Sequence, residues 1–224
     1  MNRIPESELM NDDEQAAAYA QADFSGPHSR VITLFKETFG TDGIKGYVLD
    51  LGCGSGDIAF RFARAYPDSI VHGIDGAEAM LRYGMELLQE ASDIRGRVEL
   101  IHGFLPDAAP PLAKYDIIIS NSLLHHLMDS SVLWQAVRRY AAPGAPVFIV
   151  DLKRPGSPEE AHMLVETYCG SEPEILKRDF YNSLLAAFDV DEVKAHLKEE
   201  NLDYLDVKEI SDRHLLISGY FIVA

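Results

Sequence analysis

The sequence predicts an α/β protein in which seven strands form one mainly parallel sheet with helices on both faces. Short apolar segments rich in β-branched residues alternate with amphipathic segments of helical length, which is typical of such a sheet. The strand segments are continuous apolar runs, such as Ile117, Ile118 and Ile119, which indicates burial on both faces. Three residues separate the last two predicted strands, which favours an antiparallel hairpin at the sheet edge.

The individual elements follow from local patterns along the chain. The first five strands are predicted at residues 47–51, 70–74, 98–101, 115–120 and 147–151. Helices between them are predicted at 57–66, 77–91 and 130–140. Two helices follow residue 151, and Asp189 with Glu192 three positions later predicts a capped helix that runs to about residue 200. The last two strands are predicted at 203–210 and 214–223.

The length of 224 residues predicts one full domain with appendages. Two further helices are predicted at 13–22 and 28–39, so we expect residues 1–45 to form an N-terminal helical cap. Residues 46–224 are expected to form the main domain, with an inserted segment at about 152–188 where the strand and helix rhythm changes.

Charge and composition disfavour several classes of partner and site. There are 20 Lys and Arg against 36 Asp and Glu, a net charge of −16, which disfavours nucleic acid unless another protein supplies a basic surface. No apolar run approaches the length of a membrane span, and the first residues are polar and acidic, so we expect a cytoplasmic protein that binds no membrane. Cys53 and Cys169 form no CxxC pair, which disfavours a zinc module or a disulfide framework.

The segment VLDLGCGSG at residues 48–56 is a buried strand that runs into a glycine-rich turn and then a helix. Glycines there allow a tight turn and let a ligand touch the backbone. A dinucleotide site requires a third glycine where this chain has Asp57, whose carboxylate would repel a pyrophosphate, so a positively charged ligand without phosphates is favoured. Asp75 ends the second strand, 23 residues after Gly52, a position suited to ribose hydroxyls.

The ordered motifs resemble those of the class I S-adenosylmethionine-dependent methyltransferases. They are the glycine turn, DGAEAM at 75–80, YDIIISN at 115–121, LLHHL at 123–127 and the Pro143-Gly144 pair. The similarity covers about residues 46–152 and implies a Rossmann-like fold whose last strand is antiparallel. It also implies S-adenosylmethionine as the cofactor and methyl transfer to a small-molecule acceptor.

The resemblance also implies roles for single residues. The glycine turn would face the methionine part of the cofactor, with Asp50 holding its ammonium group and Asp75 its ribose. Phe104 stands where the family often has Asp, so it is expected to stack on the adenine, or backbone groups serve instead. The predicted cofactor contacts are Asp50, Gly52, Cys53, Gly54, Asp75, Gly76, Met80, Gly103, Phe104, Asn121 and Tyr19.

We expect the residues beside the methyl acceptor to lie at the carboxyl edge of the sheet. His125 and His126 are the candidate catalytic residues, although a packing role for each stays open. Since neighbours on a helix diverge by about 100°, we expect one of them, His125, to face the acceptor. In the insertion, Tyr168, Arg178 and Tyr181 are expected to contact the substrate, unless this segment is a solvated loop. The other histidines show no ligand spacing, so no metal is expected.

Three alternatives stay open at this stage. A non-catalytic protein that binds S-adenosylmethionine would keep the same glycine turn. An NAD-dependent oxidoreductase is disfavoured by Asp57, and an RNA methyltransferase is disfavoured by the net charge. The sequence leaves open the acceptor, its reacting atom and the oligomeric state.

Overall fold

A computed structural model describes residues 1–6, 25–41 and 43–223. In these ranges the strands are β1 (Gly46–Leu51), β2 (Ser69–Asp75), β3 (Val98–His102), β4 (Ile117–Asn121), β5 (Pro146–Leu152), β6 (Asp206–Glu209) and β7 (His214–Tyr220). The helices are α1 (Ser25–Phe39), α2 (Asp57–Ala65), α3 (Glu78–Glu90), α4 (Ser131–Tyr140), α5 (Pro158–Cys169), α6 (Glu174–Ala186) and α7 (Val190–Glu199), with a 3-10 turn at Leu124–His126. None of the helices in these ranges is long and apolar enough to cross a membrane. The helix predicted at 13–22 lies outside the described residues.

The seven strands form one sheet in the order β3-β2-β1-β4-β5-β7-β6. Strands β1 to β5 pair in parallel, and β7 runs antiparallel to both β5 and β6. The predicted seven-stranded, mainly parallel sheet with an antiparallel last strand is confirmed. The strand order reverses between β1 and β4, and a crevice outside the carboxyl ends of the strands is the usual ligand site in such sheets.

Apolar layers cover both faces of the sheet. On one face, Phe35 of α1 packs edge-on against Phe62 of α2 and Phe148 of β5, with ring centroids 4.9 and 5.2 Å apart. On the other face, Trp134 of α4 is fully buried with the strands of the sheet centre. Burial on both faces is therefore correct for the central strands. The expectation of burial on both faces is wrong for β3. This strand lies at the edge of the sheet with one neighbouring strand, and its Glu99 is exposed between buried apolar residues.

A buried arginine connects β5 to the C-terminal helices. Arg154 is 8% exposed and pairs with Asp189 and Glu192, each at 2.8 Å. The same two acidic residues form the predicted capping box at the start of α7. Between these points, α5 and α6 pack together as a helical hairpin. Because this hairpin follows the carboxyl end of β5, it lies at the edge of the sheet where the crevice opens.

The first six residues lie against α6 and the 3-10 turn. The Ile4 amide donates to the Leu185 carbonyl at 3.0 Å. Arg3 donates to the carbonyls of His125 and Leu127, at 3.0 and 2.7 Å, and its guanidinium lies 3.9 Å from the centre of the Phe188 ring. These contacts hold the start of the chain beside the two candidate histidines.

Candidate active site

A cavity of about 800 Å³ lies at the carboxyl ends of β1, β2 and β4, where the strand order reverses. Helix α1 and the 3-10 turn form part of its wall. Ten predicted cofactor residues line this cavity, namely Asp50, Gly52, Cys53, Gly54, Asp75, Gly76, Met80, Gly103, Phe104 and Asn121. Tyr19 lies outside the described residues. The fold thus gathers residues from four separate segments of the chain into one site.

The glycine turn has the backbone shape that its composition predicts. Gly52 and Gly54 adopt φ values of 72° and 53°, which favour glycine over residues with a side chain. A Cβ atom on Gly52 would also lie 2.7 to 2.9 Å from atoms of the Leu123 side chain. The glycine at this position therefore keeps the backbone of the turn open towards the cavity.

Two carboxylates dominate the electrostatics of the cavity. Asp50 is 1% exposed, and its Oδ2 atom has no hydrogen-bond partner among the described residues. Burial, together with the charge of Asp75, raises the pKa of Asp50 well above its usual range. Asp75 accepts hydrogen bonds from the amides of Gly54 and Ala77, both at 2.7 Å, and burial raises its pKa despite these bonds. Both carboxylates would be stabilised by a bound cation.

These groups fit S-adenosylmethionine. The unpartnered Oδ2 of Asp50 matches the ammonium group, since a buried polar atom is normally hydrogen-bonded. Each Asp75 oxygen already accepts one backbone hydrogen bond and, as a carboxylate, can accept another from a ribose hydroxyl. The site therefore offers acceptors for both polar ends of the cofactor.

Phe104 follows β3 at the rim of the cavity. Its side chain is 55% exposed, and its ring meets His102 edge-on at 5.4 Å between centroids. Gly103, just before it, packs so closely that a Cβ atom would lie 2.9 Å from the Ala108 Cβ. The exposed ring is placed where an adenine could pack on it, and this stacking stays a prediction.

Asp57 requires a correction to the electrostatic argument against a dinucleotide. Its Oδ2 lies 2.6 Å from His28 Nδ1 and 2.6 Å from Arg61 Nε. Burial acts to raise the pKa of Asp57, but the bonds to His28 and Arg61 outweigh it and lower the pKa. Arg61 offsets the negative charge, so repulsion of a pyrophosphate is weaker than the sequence implied. The His28 contact joins α1 to the start of α2 beside the glycine turn.

The two candidate histidines both line the cavity, so the expectation that one alone reaches it is wrong. They lie on a short 3-10 turn rather than on an α-helix, and their ring centroids are 4.1 Å apart. His125 is 3% exposed, and its Nδ1 lies 2.7 Å from Asp151 Oδ1. Burial favours protonation of Asp151, but His125 and two backbone amides outweigh it and lower its pKa. An ionised carboxylate accepts hydrogen bonds, so Nδ1 of His125 is the donor in this contact and Nε2 of the ring is left for another partner.

Sequence reasoning missed Glu6, which lies beside this pair. Its Oε1 is 3.2 Å from His126 Nδ1 and accepts a hydrogen bond from Ser183 Oγ at 2.9 Å. Burial acts to raise the pKa of Glu6, but His126, His125 and Ser183 outweigh it and hold the pKa below its usual value. Nothing in the polar segment around Glu6 marks it, whereas Asp151 could have been found as a carboxylate at the end of a buried strand.

Of the three substrate residues predicted in the insertion, Tyr168 lines the cavity and the other two do not. Tyr168 donates to Asp212 Oδ2 at 2.6 Å. Arg178 pairs with its neighbour Asp179, and Tyr181 stacks on His162 with centroids 4.3 Å apart. Arg178 and Tyr181 do not line the cavity because α6 turns another face towards it. The residues on that face follow helical spacing and are Leu176, Asp179, Phe180 and Ser183.

Known proteins share both the central segment and the fold. Residues 48–144 match the family model described as a methyltransferase domain. The structure is similar to that of a SAM-dependent methyltransferase from Aquifex aeolicus, with a TM-score of 0.67 and 18% identity over 94% of this chain and 99% of the other. Residues 48–144 therefore form a methyltransferase domain. The methyltransferase domain and the Rossmann-like fold predicted from the motifs are confirmed.

Two curated relatives are similar to the methyltransferase domain in sequence. The 27-O-demethylrifamycin SV methyltransferase of Amycolatopsis mediterranei is 27% identical over 168 residues, which cover 73% of this chain and 56% of the relative. Protein arginine N-methyltransferase 1 of Schizosaccharomyces pombe is 30% identical over 144 residues, which cover 63% of this chain and 38% of the relative. The chain thus spans little more than half of the first relative and less than half of the second.

Proposed function

We propose that the protein transfers the methyl group of S-adenosylmethionine to a small molecule bound beside His125 and His126. The observation that carries this proposal is one cavity that contains ten predicted cofactor residues together with both histidines. Ligand pockets usually measure about 300–1,000 Å³. A cavity of about 800 Å³ lies near the upper end of that range, so there is room for an acceptor next to the cofactor.

The proposed chemistry is an in-line displacement. S-adenosylmethionine supplies a methyl group already activated on a sulfonium. A lone pair of the acceptor forms the new bond to carbon while the electrons of the broken S–C bond stay on sulfur. The chain has to align the acceptor and exclude water, and these are positioning effects. If the acceptor atom carries a proton, Nε2 of His125, whose Nδ1 contacts Asp151, is the proposed proton acceptor.

The acceptor is proposed to have a substantial apolar part. Beyond the cofactor residues, the cavity is lined by Leu152, Tyr168, Leu176 and Phe180. Hydrophobic and aromatic linings with a few polar groups are typical of small-molecule sites. The name of the Amycolatopsis relative gives a small molecule as its acceptor, which supports the same class. We propose further that the described residues of the cap, 1–6 and 25–41, and of the insertion, 152–188, form this acceptor side.

Two broader features support the proposed setting. The net charge of −16 favours a small acceptor over a nucleic acid. Cys53 and Cys169 are both free thiols, which supports a reducing compartment, and we propose the cytoplasm.

The test is methyl transfer by the purified full chain with S-adenosylmethionine labelled in its methyl group. Acceptors would include a panel of apolar hydroxylated and amine-bearing metabolites, an arginine-rich peptide and an RNA. We expect label on one or more metabolites and formation of S-adenosylhomocysteine in equal amount. An Asp75→Asn variant, which weakens the cofactor site, serves as the control, and we expect it to transfer less label at a subsaturating concentration of S-adenosylmethionine.

The other outcomes separate the alternatives. Absence of calorimetric binding of S-adenosylhomocysteine would contradict the cofactor assignment. Cofactor binding without transfer to any acceptor would favour a non-catalytic binding protein. Transfer to the peptide or the RNA in place of the metabolites would refute the small-molecule acceptor.

A further inference from the structure

Glu6 lies beside His125 and His126, which line the cavity, so three metal-binding side chains come together there. One donor atom from each residue lies within 4.8 Å of the other two. Glu6 Oε1 is 3.2 Å from His126 Nδ1 and 3.9 Å from His125 Nε2. In the described part of the chain, His126 Nδ1 is buried and has no aligned hydrogen-bond partner. The three donor atoms therefore face one another at short range, and His126 Nδ1 still lacks an aligned partner.

Two further residues orient these side chains as outer groups do in metal sites. Asp151 Oδ1 lies 2.7 Å from His125 Nδ1, which leaves Nε2 of that ring for a ligand. Ser183 donates to Glu6 Oε1 at 2.9 Å. A histidine that binds a metal through one nitrogen usually donates a hydrogen bond from the other, often to a carboxylate. The Asp151 and His125 pair has this arrangement.

The chemistry of the donor set suits a transition-metal ion. Two imidazole nitrogens and one carboxylate oxygen suit zinc, iron, cobalt or nickel better than magnesium or calcium.

Two of the three spacings are close to those around a bound ion, and the third, between the two histidine nitrogens, is within 4.8 Å. Two ligands that each lie ~2.1 Å from one ion are ~3.0–3.4 Å apart in tetrahedral or octahedral geometry. The distance of 3.2 Å between Glu6 and His126 falls in this range. The distance of 3.9 Å between Glu6 and His125 has to shorten by a fraction of an ångström, which side-chain rotation can supply.

We propose that Glu6, His125 and His126 bind a divalent transition-metal ion, of which Zn²⁺ and Co²⁺ are representative. With three protein ligands, the ion keeps coordination positions for water or for another ligand. Both histidines line the cavity, so an acceptor oxygen can take one of these positions. The role of the ion in lowering the pKa of an acceptor hydroxyl rests on the proposed methyl transfer, whereas ion binding itself does not. With the ion bound, Nε2 of His125 is a ligand and no longer a base.

The test is a titration of the full chain, freed of any histidine tag and of bound metal, with Co²⁺ alone. Heat and the visible d–d absorption of Co²⁺ report the ion directly, without methyl transfer. We expect binding at one equivalent, weakened at least tenfold by Glu6→Gln, which keeps the shape of the side chain. Glu90→Gln changes an exposed glutamate of α3 and is the matched control. His126→Gln is a second variant that removes another ligand.

Binding of S-adenosylhomocysteine, measured on the same samples, checks that each variant is folded. Co²⁺ affinity that is equal in the parent and the Glu6→Gln chain would overturn the proposal, as would absence of saturable binding in the parent. Loss of Co²⁺ binding in both ligand variants, with S-adenosylhomocysteine binding retained, supports it. A chelator that lowers methyl transfer but leaves cofactor affinity unchanged would support the role of the ion in activating the acceptor hydroxyl. Absence of transfer to every acceptor would contradict the proposed function and leave the ion-binding result standing.

Discussion

Replacing Asp50 by asparagine separates the contribution of this carboxylate to cofactor binding from its effect on stability. Its buried Oδ2 has no partner among the described residues and lies in the cavity beside Asp75. A hydrogen bond to a charged group contributes about 1.5–3 kcal/mol. At 1.36 kcal/mol per factor of ten, Asp50→Asn should weaken S-adenosylmethionine binding roughly 10- to 150-fold.

The same substitution should not lower the stability of the ligand-free protein. An isolated buried carboxylate is costly, and the neutral amide removes that cost together with the repulsion from Asp75. Each kcal/mol gained would raise the melting temperature by roughly 2–4 °C for a chain of this length.

The pH dependence provides an independent readout. The raised pKa of Asp50 means that protonation begins at a higher pH than for an ordinary aspartate. Since the ionised form pairs with the ammonium group, cofactor affinity in the parent protein should fall as the pH is lowered through that range. The variant should lack this part of the dependence.

Calorimetry with S-adenosylmethionine across a pH series would measure these effects, with Asp203→Asn, at an exposed site, as the control. An affinity of Asp50→Asn within twofold of the parent would refute the pairing of Asp50 with the ammonium group. A large fall in the melting temperature would refute the argument from burial.

Three other predictions follow from single residues. Gly52→Ala should lower cofactor affinity at least tenfold, measured by calorimetry, because Gly52 has a φ of 72° and a Cβ atom there would lie 2.7 Å from Leu123. The control Gly96→Ala places its Cβ in open space and should not change the affinity. Equal cofactor affinities of the two variants would contradict the need for glycine at position 52. Asp75→Asn should cost about 1.5–3 kcal/mol of cofactor affinity, and near-parental affinity would remove Asp75 from the site. Burial lowers the pKa of His214 from 6.5 to about 4, so the neutral ring is favoured in the folded state. The free energy of unfolding should therefore be at its full value above pH 6.5 and should decrease towards pH 4, by about 2 kcal/mol at pH 5. Urea unfolding across this pH range would measure the decrease, and the His214→Gln variant should lack it.

The cofactor half of the site could be predicted from sequence because its signals are local. A buried strand, a glycine turn and a helix start occupy one short segment, and the parallel sheet brings the ends of the following strands next to it. Ten of the predicted contacts accordingly line one cavity. The constraint on these residues is strong, because the carboxyl ends of parallel strands all lie at the same edge of the sheet.

The acceptor half of the site depends on contacts between distant segments of the chain. Local sequence patterns do not predict such contacts. Glu6 reaches His126 because Arg3 and Ile4 bind the backbone near α6 and the 3-10 turn. Helix α6 has a weak amphipathic pattern, so its rotation, which turns Arg178 away and Phe180 inward, is decided by packing against α5. Asp151 was the accessible signal, because it ends a buried strand next to β4.

The attachment of residues 1–6 to the segment around residues 183–188 also affects the order in which the site can be assembled. The glycine turn and β1 to β4 make parallel pairings within one stretch of the chain. The backbone bond from Ile4 to Leu185 and the bond from Ser183 to Glu6 instead close a loop over most of the chain, and such long-range closures are slow to form. During synthesis the cofactor half can fold first, while the start of the chain waits for α6 to emerge. The residues that surround the acceptor would then be the last to take their places, and the first to separate when the protein opens locally.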